Sequence, residues 1–436
     1  MNKTKDEKLE KNLGLFNAIT IVIGVVIGSG IFFKPTIVFK NGGSPTLGIG
    51  AWIVGGLITM ASGLTIAEIA AAIPKTGGIF VYLKELYGER IAFLFGWVQT
   101  VIYIPGALAA LVIVLTTQIT VFIPLTIPEQ RIVAIVLLIF MATMNVISSN
   151  LAKNIQGIVT IAKLLPIVII VILGLIKGQT QGLTMETSAT VSGFGTAILG
   201  TLWAYDGWVN VANMAGEFKR PEKDIPKSII LGILITIIVY VAFNLAIIKI
   251  LPFEHVINST TPASDAATIL FGNFGSKFIA IGILISIIGA INGYMLTGTR
   301  IPYAMAQDNL LPGSKYLAKV NKKSAAPIYC SILEVILAIL YIISGSFDML
   351  TNLIMFVAWI FFLMTIIGIF IFRRKFKDIE KGYTVPLYPI IPILGILGAL
   401  YIIVSTFISN TNYAISGVVI TLLGLPIYGY SKRKNR

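Results

Sequence analysis

Long apolar segments recur along almost the whole chain, and they restrict its possible folds more than any other feature of the sequence. We count twelve of them, at residues 13–39, 46–72, 91–122, 130–148, 155–177, 191–216, 228–251, 274–303, 327–345, 350–372, 387–407 and 411–430. A helix needs roughly 20 apolar residues to cross a bilayer. Because unpaired backbone groups are costly in hydrocarbon, such segments must be helical. The sequence therefore predicts an all-α polytopic protein with twelve transmembrane helices in a lipid bilayer.

Composition agrees with a membrane protein and argues against a nucleic-acid partner. Hydrophobic residues make up 56% of the 436 residues and charged residues only 12%, against about 25% charged residues in soluble domains. The net charge of +14 does not indicate nucleic-acid binding, because the lysines and arginines lie in short connections between the apolar segments. Basic residues in such connections act as topology signals.

The residues of metal sites and of common enzymes are scarce. The chain has one cysteine, Cys330, and one histidine, His255, which excludes an internal disulfide, a cysteine metal cluster and a two-histidine metal site. It has no nucleophile elbow, phosphate-binding loop or paired carboxylates at hydrolase spacing. We therefore expect neither an enzyme nor a bound cofactor or metal.

Basic residues predict the orientation of the chain. The first apolar segment is too long for a signal peptide and has no small-residue cleavage site after it, so we interpret it as a retained span. Alternate connections are basic: Lys3, Lys5, Lys8 and Lys11; Lys75, Lys84 and Arg90; Lys153; Lys219, Arg220, Lys223 and Lys227; Lys315, Lys319, Lys322 and Lys323; Arg373 to Lys381; and Lys432 to Arg436. Positive charge marks the cytoplasmic side. The pattern predicts a multi-pass protein of the cell membrane with both termini cytoplasmic.

The first span contains a weak point at Gly28, Ser29 and Gly30. Each glycine weakens a helix by about 1 kcal/mol relative to alanine. One interpretation is close helix packing through Gly24 and Gly28, since small residues four apart line membrane helix interfaces. The other is a broken helix whose second half starts near Gly30. Its free amides would bind a carboxylate and the free carbonyls of the first half an ammonium, which is a site for an amino acid.

A second interruption, WAYDGW at residues 203–208, lies in span six, five spans later. Paired interruptions in corresponding positions of two halves are typical of carriers with inverted repeats. Five is an odd number, so the second half is inverted. We predict a 5+5 inverted repeat with discontinuous helices 1 and 6: a cytoplasmic tail at 1–12, a first repeat at 13–186, a second at 187–372, and two extra helices with a cytoplasmic tail at 373–436.

Two charged residues lie deep in predicted spans. Asp206 is either part of a functional site, the usual role of an acid inside the membrane, or a cap on the broken helix. Lys163 lies roughly 12 Å into span five at 1.5 Å per residue. It either snorkels to the interface or points inward and bonds carbonyls freed at the break in span one. We expect Arg300 and Glu334 to be interfacial, and Glu68 to cap a helix or pair with a base.

Motifs along nearly the whole chain resemble the L-type amino acid transporters of the amino acid, polyamine and organocation superfamily. Their bacterial serine/threonine exchangers are the most similar. The motifs are IGSGIF at 27–32, AEI at 67–69 with PKTGG at 74–78, AKL at 162–164, WAYDGW at 203–208, GE at 216–217 with RPEK at 220–223, YAMA at 303–306 and LP at 311–312.

The resemblance implies roles for particular residues. The substrate carboxylate would be held by the amides of Ser29 and Gly30, with Gly28 permitting its approach. The amino group would meet carbonyls at Val26, Trp203 and Asp206, beside the small residues Ala204 and Gly207, which would leave room for a side chain. Trp203 would be an aromatic gate. Lys163 would be a fixed cation that replaces sodium and couples substrate occupancy to helix movement.

The expected function is sodium-independent exchange of small neutral L-amino acids, serine-like or threonine-like, by alternating access. One alternative is a proton-coupled symporter in which Lys163 or Asp206 titrates, and another is an amino acid sensor. Animal members of the family are linked to a glycoprotein through a cysteine after span three. Residues 122–130 contain no cysteine, so we expect no disulfide-linked partner subunit.

Overall fold

The computed structural model describes residue 9 and residues 11–147, 149–178, 191–321, 324–345, 347–379, 382–409 and 411–434. Almost all of these residues are in helices joined by short turns. Among them, the single pairing of extended backbone is an isolated parallel bridge between Leu13 and Phe218. The predicted all-helical class is therefore confirmed.

The helices alternate between long apolar rods and short connecting helices. In the first part of the chain they are α1 (Leu15–Val26), α2 (Gly30–Phe33), α3 (Pro35–Gly42), α4 (Pro45–Ala72), α5 (Ile79–Tyr87), α6 (Glu89–Val98), α7 (Ile104–Ile119), α8 (Ile127–Ile147) and α9 (Ser149–Lys177). A π-helical stretch, Gln99–Tyr103, joins α6 to α7.

The second part continues in the same way. Its helices are α10 (Val191–Tyr205), α11 (Pro221–Ile250), α12 (Phe253–Asn258), α13 (Pro262–Phe271), α14 (Asn273–Gly298), α15 (Arg300–Gln307), α16 (Ser314–Leu317), α17 (Ile328–Ser344), α18 (Phe347–Lys375), α19 (Ile390–Ser409), α20 (Thr411–Leu422) and α21 (Gly424–Lys434). A 3-10 helix, Asn210–Glu217, follows α10.

Ten helical segments of the described chain are long and apolar enough to cross a membrane, and each coincides with a predicted span. The two other predicted spans correspond to α17, with 17 residues, and to the pair formed by α10 and the 3-10 helix. The connections differ from expectation because several hold short helices, such as α5 after α4 and α12 with α13 after α11.

The first span is broken at the predicted place. Helix α1 ends at Val26, residues 27–29 are not helical, and α2 begins at Gly30. Lys34, between α2 and α3, keeps helical torsion angles. The second half therefore runs on to Gly42 as one helical segment.

Close helix packing explains why residue 24 of the same span is a glycine. Helix α1 packs against α9, α11 and α14. A Cβ atom at Gly24 would lie 1.9 Å from Gln156 Nε2 and 2.7 Å from Thr160 Oγ1 of α9. The packing interpretation thus applies at Gly24, one turn before the break.

One end of the molecule is fixed by buried charges. Glu217, at the end of the 3-10 helix, accepts from Arg300 Nε at 2.8 Å and from Lys153 Nζ at 3.0 Å, and all three side chains are less than a tenth exposed. The carbonyl of Glu217 also accepts from the amides of Asn12 and Leu13. The chain before α1, the second half of span six, α9 and α15 are thereby joined.

Among the charged residues, one prediction is confirmed and two stay predictions. Arg300 and Glu334 are buried against other parts of the protein, Arg300 in its pair with Glu217, and their interfacial position stays a prediction. Glu68 does pair with a base, since its two carboxylate oxygens accept from Arg373 at 3.0 and 2.6 Å. The boundary predicted at residues 186 and 187 lies outside the described residues, as do Lys3, Lys5, Lys8, Lys322, Lys323, Lys381 and Arg436.

We expect Glu217→Gln to destabilise the folded protein by about 3–5 kcal/mol, because it leaves two buried cations without their counter-ion. The measurement is the melting temperature of the purified protein in detergent. The control is Glu85→Gln, which removes one partner of the exposed pair with Lys75, an interaction worth about 0–1 kcal/mol. Equal melting temperatures for the two variants would contradict the prediction.

Candidate functional site

The break in span one leaves backbone donors without partners. The amides of Ser29, Gly30 and Ile31 form no backbone hydrogen bond within the described chain, whereas the amide of Gly28 donates to the Val26 carbonyl at 2.9 Å. The buried Ser29 hydroxyl has no hydrogen-bond partner among the described residues either. Three free amides at the start of a helical segment, with its positive dipole end, favour an anionic group.

The carbonyls on the other side of the break are occupied, and a buried lysine holds two of them. Lys163 Nζ donates to the carbonyls of Gly24 at 2.7 Å and Ile27 at 2.5 Å, and to that of Ser286 on α14 at 3.3 Å. The Ser286 hydroxyl lies 3.0 Å from the Ile27 carbonyl and 3.2 Å from the Gly28 carbonyl. Lys163 is fully buried, so it points inward and does not snorkel.

The break in span six begins after α10. Gly207 has a φ of +94°, a conformation that side chains disfavour, and the helix resumes only at Asn210. The Asp206 carboxylate accepts from the hydroxyls of Tyr103 at 2.6 Å and Tyr294 at 3.0 Å. Asp206 therefore joins the break in span six to α14 and to the π-helical stretch before α7. A residue that only capped the helix would bond to backbone amides and would not need these two tyrosine side chains.

The two breaks touch each other. A Cβ atom at Gly30 would lie 2.5 Å from Ala204 Cα, so glycine is required for this approach. The Tyr240 hydroxyl of α11 lies between the C-terminal ends of α1 and α10. It is 2.9 Å from the Val26 carbonyl and 2.8 Å from the Ala204 carbonyl. A hydroxyl has one proton and can donate to only one of them at a time.

The small residues Ala204 and Gly207 allow close packing between the two breaks, which sequence reasoning did not anticipate. Ala204 and Gly207 were expected to leave room for a substrate side chain. Instead, Ala204 contacts Gly30, and a Cβ atom at Gly207 would lie 2.4 Å from Val25 Cγ1. Their small size allows the two broken helices to approach in this conformation.

Trp203 lines a cavity of about 440 Å³, together with Lys34 of the second half of span one. Trp203 is only 7% exposed. The next residue, Ala204, already contacts Gly30. Trp203 is therefore adjacent both to the cavity and to the contact between the two breaks.

Comparison with known proteins places the chain in a family. The model of a family described as "Amino acid permease" matches residues 13–429. The chain is an amino acid permease. It is 38% identical to the serine/threonine exchanger SteT of Bacillus subtilis (strain 168) over 434 residues, 99% of both chains. It is 30% identical to the human b(0,+)-type amino acid transporter 1, covering 97% of this chain and 88% of the relative, and 30% identical to the human cystine/glutamate transporter, covering 97% and 85%.

The structure shows four side chains of this permease that form hydrogen bonds at the breaks and that the interpretation of the sequence missed. Tyr103, Tyr240, Tyr294 and Ser286 all bond to residues at the two breaks. Their one signal in the sequence is a polar group inside an apolar span. A polar group there needs a partner in the bundle, but the sequence does not say which one.

We expect Lys163→Ala to reduce transport by this permease at least about tenfold while the protein still inserts and folds. The change removes the only side-chain ammonium that the described chain places on the Gly24 and Ile27 carbonyls, and each lost charged hydrogen bond is worth about 1.5–3 kcal/mol. The measurement is uptake of labelled amino acid into proteoliposomes, normalised to folded protein. Lys177→Ala, at the exposed end of the same helix, is the matched control; full activity of Lys163→Ala would remove Lys163 from the mechanism.

Proposed function

We propose that this permease is a sodium-independent antiporter that exchanges small neutral L-amino acids, serine-like or threonine-like, by alternating access. The observation that carries the proposal is the contact between two broken helices, one with free amides at residues 29–31 and the other ending beside the Asp206 carboxylate. Such a pair offers complementary groups to the two charges of an amino acid. The similarity to a serine/threonine exchanger supports the substrate class.

The proposed architecture is twelve transmembrane helices, with a 5+5 inverted repeat followed by two extra helices. The first repeat takes residues 13–186, the second 187–372, and residues 373–436 hold the extra helices and a tail. Both breaks support this arrangement, because they fall in the first helix of each half. The basic connections support a cell-membrane location with both termini cytoplasmic.

The substrate would be recognised mainly through backbone groups. Its carboxylate would accept from the amides of Ser29 and Gly30, beside the unpartnered Ser29 hydroxyl, with Gly28 permitting the approach. Its ammonium would donate to carbonyls at Val26, Trp203 and Asp206. The Val26 carbonyl is engaged by Tyr240 in this structure, so the substrate ammonium would replace the Tyr240 hydroxyl there.

Lys163 would supply the coupling cation in place of sodium. Its ammonium joins α9 to the end of α1 and to α14. A shift of α1 on substrate binding would therefore change the hydrogen bonds that connect α1 to α9 and α14. Trp203 would act as the gate, since it lines the cavity and its neighbour Ala204 contacts Gly30. No cofactor, metal or nucleic acid enters this mechanism.

The permease would work without a disulfide-linked subunit. The chain has one cysteine, Cys330. It is buried on α17, where its thiol donates to the Leu317 carbonyl. A buried thiol is not available for a bond to another chain.

Exchange is tested by uptake of labelled L-serine into sodium-free proteoliposomes that contain either unlabelled L-serine or buffer. We expect uptake only with internal amino acid. Equal uptake in both would favour the alternative of a proton-coupled symporter, which should accumulate substrate in empty vesicles under an imposed pH gradient. Binding of L-serine without uptake in either case would favour the other alternative, a sensor.

Recognition through backbone groups is tested without altering the protein. We expect L-alanine to compete with labelled L-serine, because it has both charges. L-Alaninol lacks the carboxylate and L-lactate lacks the ammonium, so each should compete about 5- to 150-fold more weakly, as a buried unpaired partner costs roughly 1–3 kcal/mol. Equal inhibition by L-alaninol and L-alanine would exclude the free amides as the carboxylate site.

A further inference from the structure

A cavity of about 750 Å³ lies on the predicted cytoplasmic side, and none of its lining residues belongs to the two breaks. Its walls come from three elements: Arg90 in the first turn of α6, Asp308 and Asn309 at the end of α15, and one face of α21. The volume is within the roughly 300–1,000 Å³ of small-molecule sites. The cavity is therefore large enough to hold a ligand that takes no part in the proposed transport.

Helix α21 turns one continuous face to this cavity. The lining residues recur at i, i+3, i+4, i+7 and i+8, the spacing of one side of a helix: Leu425, Tyr428, Gly429, Lys432 and Arg433. The face begins with an apolar residue and ends with two basic ones. Leu425 is exposed, and an exposed leucine of a membrane-spanning helix contacts lipid tails, which are equally apolar. The cavity thus has an apolar end beside lipid and a basic end beside water.

Two of the four charged lining residues are neutralised by partners. Asp308 pairs with Lys84 of α5 at 2.7 Å. Lys432 pairs with Glu89 of α6 at 2.6 Å. Because each of these pairs is neutral, the net charge of the cavity comes from its two arginines.

Arg90 and Arg433 form no hydrogen bond or ion pair with the part of the chain that the structure describes. Arg90 is in the first turn of α6, where the helix dipole disfavours a cation. A guanidinium group matches the geometry of a phosphate and binds it through two parallel hydrogen bonds. The cavity therefore holds two uncompensated positive charges of the kind that binds phosphate.

The arrangement differs from an ordinary topology signal. Such a signal needs only positive charge in a connection, as supplied by the exposed Lys223 and Lys227 at the start of α11. Arg90 and Arg433 are far apart in the sequence, but they line one cavity together. Shared lining of a cavity is what a binding site requires and a topology signal does not.

We propose that this cavity binds the phosphate group of an anionic phospholipid of the cytoplasmic leaflet, with Arg90 and Arg433 on the phosphate and an acyl chain along Leu425. That leaflet carries anionic lipids, and basic pockets between transmembrane helices on the same side bind their headgroups. A soluble phosphate ester has the same charge but no apolar part for the Leu425 end. The inference takes its side of the membrane from the proposed orientation and does not depend on transport.

The first experiment measures lipid binding to the delipidated full-length protein in micelles of uncharged detergent. A ligand that binds only the folded state raises the melting temperature, so the melting temperature is titrated against each additive. We expect phosphatidylglycerol to raise it. Phosphatidylcholine has a headgroup without net charge and glycerol phosphate has no acyl chains, so each should have little effect.

Charge removal tests the two arginines. Arg90→Gln combined with Arg433→Gln should weaken the apparent affinity for phosphatidylglycerol by about thirtyfold, because each basic residue near an anionic surface contributes about fivefold. The matched control combines Lys223→Gln with Lys227→Gln. It removes the same charge from the same side of the protein and should leave the affinity unchanged.

Filling the cavity tests the site without altering any charge. A Cβ atom at Gly429 would have no other atom within 4 Å, so a larger side chain can enter the cavity there. Gly429→Trp should abolish the rise in melting temperature with phosphatidylglycerol, whereas Gly429→Ala should retain it. If the double arginine variant folds poorly, this pair of variants decides the question.

Each contrary outcome overturns a particular part of the inference. Equal stabilisation by glycerol phosphate would make a soluble phosphate ester the ligand, and equal stabilisation by phosphatidylcholine would exclude recognition by charge. An equal loss of affinity in the lysine control would reduce the effect to general attraction by the cytoplasmic face. Unchanged affinity in Gly429→Trp would place the lipid outside this cavity. All these measurements are made without transport, so a failure to exchange serine would contradict only the proposed function.

Discussion

The structure depends on how backbone groups are paired where two helices are interrupted inside the membrane. Hydrocarbon offers no hydrogen bonds, so an interruption persists only where protein groups or water meet the freed backbone. At span one the carbonyls are met by Lys163, Ser286 and Tyr240. The amides at residues 29–31 have no such partners in the described chain. The amides are therefore open to an anion, whereas a substrate ammonium would have to replace the Tyr240 hydroxyl at the Val26 carbonyl.

The two ends of the molecule are built from different groups. At one end, Glu217 joins two buried cations and the chain before α1. At the other, a polar cavity reaches Trp203. The broken helices lie between these two groups of residues, since Lys34 of the second half of span one lines the cavity and Glu217 ends the 3-10 helix of span six.

Sequence reasoning located the features whose cause is local. Gly28 and Gly30 weaken a helix wherever they stand, so the break was predicted within a residue of where it lies. For Lys163 two interpretations were open, snorkelling to the interface or bonding to freed carbonyls, and the structure shows the second. Sequence reasoning missed partners that are far apart along the chain: Arg300 pairs with Glu217, 83 residues away, and Tyr103 bonds to Asp206, 103 residues away. No spacing rule connects such residues.

The sequence by itself determined that this protein spans a membrane, that it is helical, and that spans one and six are interrupted. Hydrophobic length and glycine content decide these properties without reference to any other part of the chain. Only the tertiary structure decided that Gly30 contacts Ala204, that Tyr240 lies between two carbonyls, and that Lys34 lines a cavity. These properties depend on which helices pack together, because an apolar helix surface in a bilayer has many possible neighbours and close side-chain packing selects among them.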